Sequence, residues 1–193
     1  MYGNYEIEEG KYLFTYSYRD LVKFNKPFIV QRGGNISWNG DPYSAQIDLI
    51  AEYSGLRTTV YNLVAEFITP ANEDLETQAR NTTTVDLDMR LTGDLFSPNI
   101  EFELDFPELN GNLDGLVDQK IRALSADPNE LNRQVFGLLV VGGFLPTTDA
   151  AIGNEFVNFG VNTFSQFLST QLSSYVSELL LSLIHISEPT RPY

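Results

Sequence analysis

Val85-Asp86-Leu87-Asp88-Met89-Arg90-Leu91 and Ile100-Glu101-Phe102-Glu103-Leu104-Asp105-Phe106 alternate apolar and charged residues without a break. A side-chain period of two belongs to a β-strand with one face buried and the other wet, because successive side chains of a strand leave on opposite sides. The same period extends back toward the N-terminus. Tyr5 and Ile7 alternate with Glu6 and Glu8, Tyr12, Phe14, Tyr16 and Tyr18 share one face, and Ala45, Ile47, Leu49, Ala51 and Tyr53 share another. The sheet predicted over residues 1–107 therefore has one continuous apolar face and one acidic face.

Turn-forming residues divide these runs: Arg32-Gly33-Gly34, Asn39-Gly40-Asp41-Pro42, Ser54-Gly55, Thr69-Pro70-Ala71-Asn72 and Gly93-Asp94. Asn39-Gly40 is the pair a tight hairpin uses, since both positions tolerate positive φ. Residues 72–81 are polar and charged and read as a longer loop. A glycine turn and a proline precede an alternating strand at both Gly40-Asp41-Pro42 and Gly93-Asp94 to Pro98, an echo that suits stacked hairpins.

After Pro107 the period becomes helical. Leu113, Leu116, Val117, Ile121 and Leu124 form one stripe over residues 113–126. Asp127-Pro128-Asn129-Glu130 then combines an N-cap, a proline at the first helical position and an acid three residues after the cap. That helix should stop at Gly142-Gly143. A third helix is expected over residues 154–180, with an apolar stripe and no charge between Glu155 and Glu178. The expected organisation is a β-rich unit over 1–107 and a helical segment over 108–180. Residues 181–193 form a third part resembling a translated sequencing adapter, and are set apart from fold and function.

Composition excludes several functions. A net charge of −14, with the few Lys and Arg scattered, argues against a nucleic-acid binder, which needs them clustered to neutralise phosphates. Cysteine is absent, and the one histidine, His185, falls in the segment set apart, so nucleophile systems built on Cys or His and the usual zinc sites are not expected. Asp86 and Asp88, two apart on one strand, read as the wet side of a sheet rather than a glycosidase pair. Asn110-Gly111-Asn112-Leu113-Asp114-Gly115 imitates a calcium loop, yet Ile121 stands where the bidentate Glu belongs. No catalytic residue, cofactor or metal is expected, and the chain is read as not an enzyme. Aromatic residues make up 12% of the chain, more than a core of this size needs, which suggests a use for broad apolar surface.

Three stretches carry a family resemblance: residues 33–42 (Gly-Gly-Asn-Ile-Ser-Trp-Asn-Gly-Asp-Pro) with the strand that follows, residues 91–102 (Leu-Thr-Gly-Asp-Leu-Phe-Ser-Pro-Asn-Ile-Glu-Phe), and Asn132-Arg133-Gln134-Val135-Phe136-Gly137-Leu138-Leu139-Val140 leading to Phe144-Leu145-Pro146. In order and spacing they resemble the C-terminal domain of the TamB family, translocation and assembly modules of the Gram-negative envelope. The resemblance implies a curled antiparallel or mixed sheet forming an open apolar trough, a β-taco, followed by two or three amphipathic helices. It implies a periplasmic location, as part of an inner-membrane-anchored protein reaching the outer membrane. Met1-Tyr2-Gly3 runs straight into strand-like sequence, and the chain is expected to be a segment of such a protein, cut from its anchor helix and upstream repeats.

The implied function is to shield phospholipid acyl chains or nascent outer-membrane β-strands in a hydrophobic groove, alongside an outer-membrane barrel assembly partner. The groove residues expected from the alternation are Ile47, Leu49, Val85, Leu87, Met89, Ile100, Phe102 and Leu104. An apolar face can equally be covered by helices as an ordinary core, and both outcomes are open at this level. An extracellular carbohydrate-binding or adhesive β-domain, using Trp38 and the tyrosines, is the alternative.

Overall fold

Alternating residues become strands wherever a neighbour completes their hydrogen bonds. The computed structural model describes residues 2–18, 22–41, 44–109, 111–146 and 170. The chain forms β1 (Tyr2–Ile7), β2 (Gly10–Tyr18), β3 (Val22–Val30), β4 (Gly34–Asn39), β5 (Gln46–Thr59), β6 (Thr82–Asp94) and β7 (Ser97–Asp105), a seven-stranded sheet with every pairing antiparallel.

The registers show a simpler path than seven strands suggest. β3 and β4 lie end to end along the same edge of β5, through Ile29↔Glu52 and Val30↔Ala51 and then Asn35↔Asp48 and Ile36↔Ile47. β2 and β1 lie end to end against β3 and β4 in turn. The sheet is thus an antiparallel meander whose first two strands are long and interrupted, at residues 8–9 and 31–33. Backbone pairing continues across the breaks, with Gln31 N donating to Ile50 O at 2.8 Å and Gly33 N to Ile7 O at 3.1 Å. β5 carries a third irregularity between Tyr53 and Leu56, where Gly55 takes φ 76° and donates its N–H to Asp86 Oδ1 at 2.7 Å. Extra residues on one strand bend it and increase its twist. Among the described residues the sheet is not closed into a barrel: β7 pairs only with β6, and β1 and β2 only with β4 and β3.

Helices follow β5 and the sheet. α1 (Tyr61–Val64) runs into a 3-10 turn (Ala65–Phe67), α2 covers Glu73–Arg80, α3 Gly111–Ser125, and α4 Pro128–Phe136 continues as a π turn (Gly137–Val141). Asp127 caps α4 as its sequence predicts, its side chain accepting from Asn129 N and Glu130 N, and the helical run stops at Gly142 with φ 84°. Buried residues of the sheet and of these helices belong to one hydrophobic core. The third helix, expected over 154–180, and the terminal segment lie outside the described residues.

Two local expectations are corrected. Residues 72–81, read as a loop, contain α2. Its first turn carries Glu73, Asp74 and Glu76 where the helix dipole favours acids, Arg80 binds Glu76 one turn back at 2.8 Å, and Ala79 is buried. Polarity alone hid a helix that needs only a narrow buried stripe. Asn39-Gly40 does not make a two-residue hairpin either, since β4 and β5 part after Ser37↔Gln46. The tight turn is at Leu95-Phe96, between Asp94↔Ser97, where the Asp94 carboxylate accepts from Phe96 N at 2.9 Å.

Candidate functional site

Because all strands are in antiparallel register, the apolar face can be read as rows crossing the sheet. One row runs Tyr12, Phe28, Tyr53, Leu87, Leu104, with ring centroids 6.4 Å apart for Tyr12 and Phe28 and 5.6 Å for Phe28 and Tyr53. The next runs Val30, Ala51, Met89, Phe102. These rows are covered: Leu87 is 0% exposed, and Tyr12, Phe28, Ala51, Met89, Phe102 and Leu104 are buried. Val85, beyond them toward the helices, is also buried.

The cover is fastened by polar contacts at its ends. Gln134, itself buried, takes the N–H of Leu145 at 2.9 Å and donates to the Leu145 carbonyl at 3.0 Å, folding residues 142–146 back on α4. Asn62 donates to Phe144 O at 2.9 Å, and the Phe144 ring stacks on Phe106 at 6.0 Å. Gly137 makes the return possible, because a Cβ there would come within 2.7 Å of both the Gly143 carbonyl and the Leu145 side chain. Lys120, with its side chain 11% exposed, pairs with Glu66 at 2.9 Å and ties α3 to the 3-10 turn. Burial works to raise the Glu130 pKa, but hydrogen bonds from Arg133 and Gln134, with the charges of Arg133 and Lys120, outweigh it and hold the carboxyl below its ordinary value.

Toward the other end of the strands the cover thins. The row Leu49, Leu91, Ile100 and the row Tyr5, Ile36, Ile47 cross the same face. Here Ile7, Ile36, Leu49 and Ile100 are half-buried and Tyr5 is 55% exposed, although Ile47 and Leu91 are buried between them. Gly34 deepens the strip: a Cβ at that position would meet the Leu49 Cβ at 2.9 Å and Ile7 Cδ1 at 3.6 Å. One step beyond Ile36 on β4, Trp38 is 8% exposed, and its indole Nε1 is buried without an acceptor.

Of the groove residues expected from sequence, the structure brings all onto one face but into two environments. Leu49 and Ile100 are half-buried in the strip, whereas Ile47, Val85, Leu87, Met89, Phe102 and Leu104 are core. Fully burying one such side chain stabilises by about 1.5–3 kcal/mol, so uncovering the group would cost on the order of 10 kcal/mol, comparable to the whole stability of an ordinary domain. The residues that the groove expectation omitted are Tyr5, Ile7 and Ile36. Their alternation was visible; their exposure was not.

The opposite face carries Glu52, Asp88 and Glu103 side by side, with Asp86 and Asp105 paired in the adjacent row. Burial, then the charges of Glu52, Glu103, Asp86 and Asp105, push the Asp88 carboxyl above its ordinary value. Among the described residues no His, Cys, Asp and Glu group is placed to hold a metal ion, and no helix is long and apolar enough to cross a membrane. A family model, that of the TamB C-terminal domain, matches residues 1–191. No curated protein and no solved structure matches the chain.

Proposed function

The chain belongs to the TamB C-terminal domain family, envelope transport and assembly modules with a role in outer-membrane biogenesis, and from that premise we propose that it works in the periplasm by shielding phospholipid acyl chains or nascent outer-membrane strands. The observation that carries this reading is the half-open strip of Tyr5, Ile7, Ile36, Leu49 and Ile100, an uncharged surface on a sheet that does not close. Each methylene moved from water to such a surface gains about 0.8 kcal/mol, so a long acyl chain needs no chemistry to be held there. Leu49 and Ile100 meet cargo directly. Ile47, Val85, Leu87, Met89, Phe102 and Leu104 form the floor, and touch cargo only where it takes the place of the helices. The acidic face keeps the object soluble and discourages edge-to-edge association.

The family's association with outer-membrane assembly machinery makes a barrel protein the natural acceptor of such cargo. The carbohydrate-binding alternative loses its main platform, because Trp38 is buried and presents no open ring face. Photo-crosslinkers at Leu49 and Ile100 should capture phospholipid or outer-membrane strands in cells, while those at Asp88 and Glu103 on the acidic face should not. Equal capture from both faces would overturn the proposal.

A further inference from the structure

One row of the acidic face crosses four strands: Ile29 on β3, Glu52 on β5, Asp88 on β6 and Glu103 on β7. Asp86 and Asp105 face each other in the adjoining row. Like charges directly opposite on neighbouring strands destabilise a sheet, so these rows oppose folding. Among the described residues none of the five carboxylates is in an ion pair, and Arg90, in the row on the other side, turns to Asp48 at 3.2 Å. Where the row reaches β3 its chemistry changes. Ile29 is 52% exposed, and Leu13, which stands opposite Pro27 on the same side of the sheet, is 47% exposed. Solubility calls for neither feature, since mixed charges without large exposed apolar side chains serve it better. A face that bears both costs side by side breaks local rules in the manner of a binding surface.

We infer that this face docks a basic protein partner, which sets Lys or Arg side chains on the Glu52, Asp88 and Glu103 row and an apolar side chain against Ile29 and Leu13. The inference goes beyond the shielding function, because the surface lies on the opposite side of the sheet from the strip and the partner is not the cargo. Charge chooses the occupant. A second copy would bring the same carboxylates against these, and an anionic membrane surface would be repelled in the same way. A basic surface bordered by an apolar side chain relieves both costs at once. Strands about 4.8 Å apart put Ile29 roughly 14 Å from Glu103, room for two or three basic side chains beside the apolar one.

The test uses the full chain and three fluorescently labelled, blocked peptides of equal length, whose binding is read by anisotropy. One combines lysine and leucine, one replaces its leucines by serine, and one replaces its lysines by glutamate. The lysine-leucine peptide should bind about fivefold more tightly than the lysine-serine peptide, the worth of covering part of one aliphatic side chain, and the glutamate peptide should not bind. Ile29→Ser should erase the difference between the first two. Ile29→Thr, which keeps the β-branched shape, takes its place if the melting temperature falls. Glu52→Gln combined with Glu103→Gln should weaken both lysine peptides about tenfold at low salt. Glu8→Gln combined with Glu9→Gln removes the same net charge at the exposed break between β1 and β2, and should leave both affinities unchanged. Equal losses from the two double variants would mean that the peptides answer only to the charge of the whole chain, which overturns the inference. A leucine preference that survives loss of Ile29 overturns it as well. So does a dimer of the unmodified chain that Ile29→Ser dissolves, because a second copy would then be the occupant.

Discussion

The two ends of one sheet face have the same chemistry and different fates. Leu87 and Leu49 are both leucines on the apolar side of central strands, yet Leu87 lies beneath the helical layer and is 0% exposed, while Leu49 is half-buried. Nothing in their own strands separates them. What differs is what packs above them: helices follow the end of β5 and precede β6, and Phe106, just past β7, stacks on Phe144. A sheet face becomes core where another element reaches it and a binding surface where none does.

The sharpest way to break this comparison is a matched pair of truncations. Leu87→Ala should destabilise by about 3 kcal/mol, and Leu49→Ala by about 1 kcal/mol, because only the first leaves a sealed cavity. Urea unfolding midpoints at constant slope would measure both. Equal losses would mean that the strip is covered as fully as the core. The fastening of the cover comes next. Gln134→Ala strands the Leu145 N–H and carbonyl in a buried setting and should cost about 2 kcal/mol, with faster hydrogen exchange at Leu145. Slow exchange there would show that the cover holds by apolar packing alone.

The acidic face supplies the smallest effect. Burial first, and then its acidic neighbours, raise the Asp88 pKa, so ionising this carboxyl opposes folding. Stability from this group is gained as pH falls through the folded value toward the ordinary one, and lost as pH rises. Asp88→Asn should therefore be more stable at neutral pH by about 0.5 kcal/mol or less, given solvent screening of a partly exposed group. The difference should vanish below the ordinary carboxylate range, as thermal melts across pH would show.

Much of this was readable in advance. The alternation at Val85 to Leu91 and Ile100 to Phe106 predicted strands with the correct inward residues, and Asp127-Pro128 marked the start of α4 to the residue. Residues 72–81 were misread because a short helix on the rim buries little more than Ala79 and the ring face of Tyr61 beneath Arg80, leaving no stripe to see. The hairpin was misplaced because positive φ at Gly40 is compatible with many turns, and only the pairing of Ser37 with Gln46 shows how wide this one is.

By itself the sequence determined which residues form strands, which side of each is apolar, and that the opposite side is acidic, since these are properties of neighbours along the chain. It left undecided which part of the apolar face would be sealed. That was set by where Gln134 clasps Leu145, where Asn62 meets Phe144 and how far the helices extend over β5 to β7, contacts between residues distant in sequence. Periodicity reports the side of a strand on which a residue lies. Only packing decides whether anything lies above it.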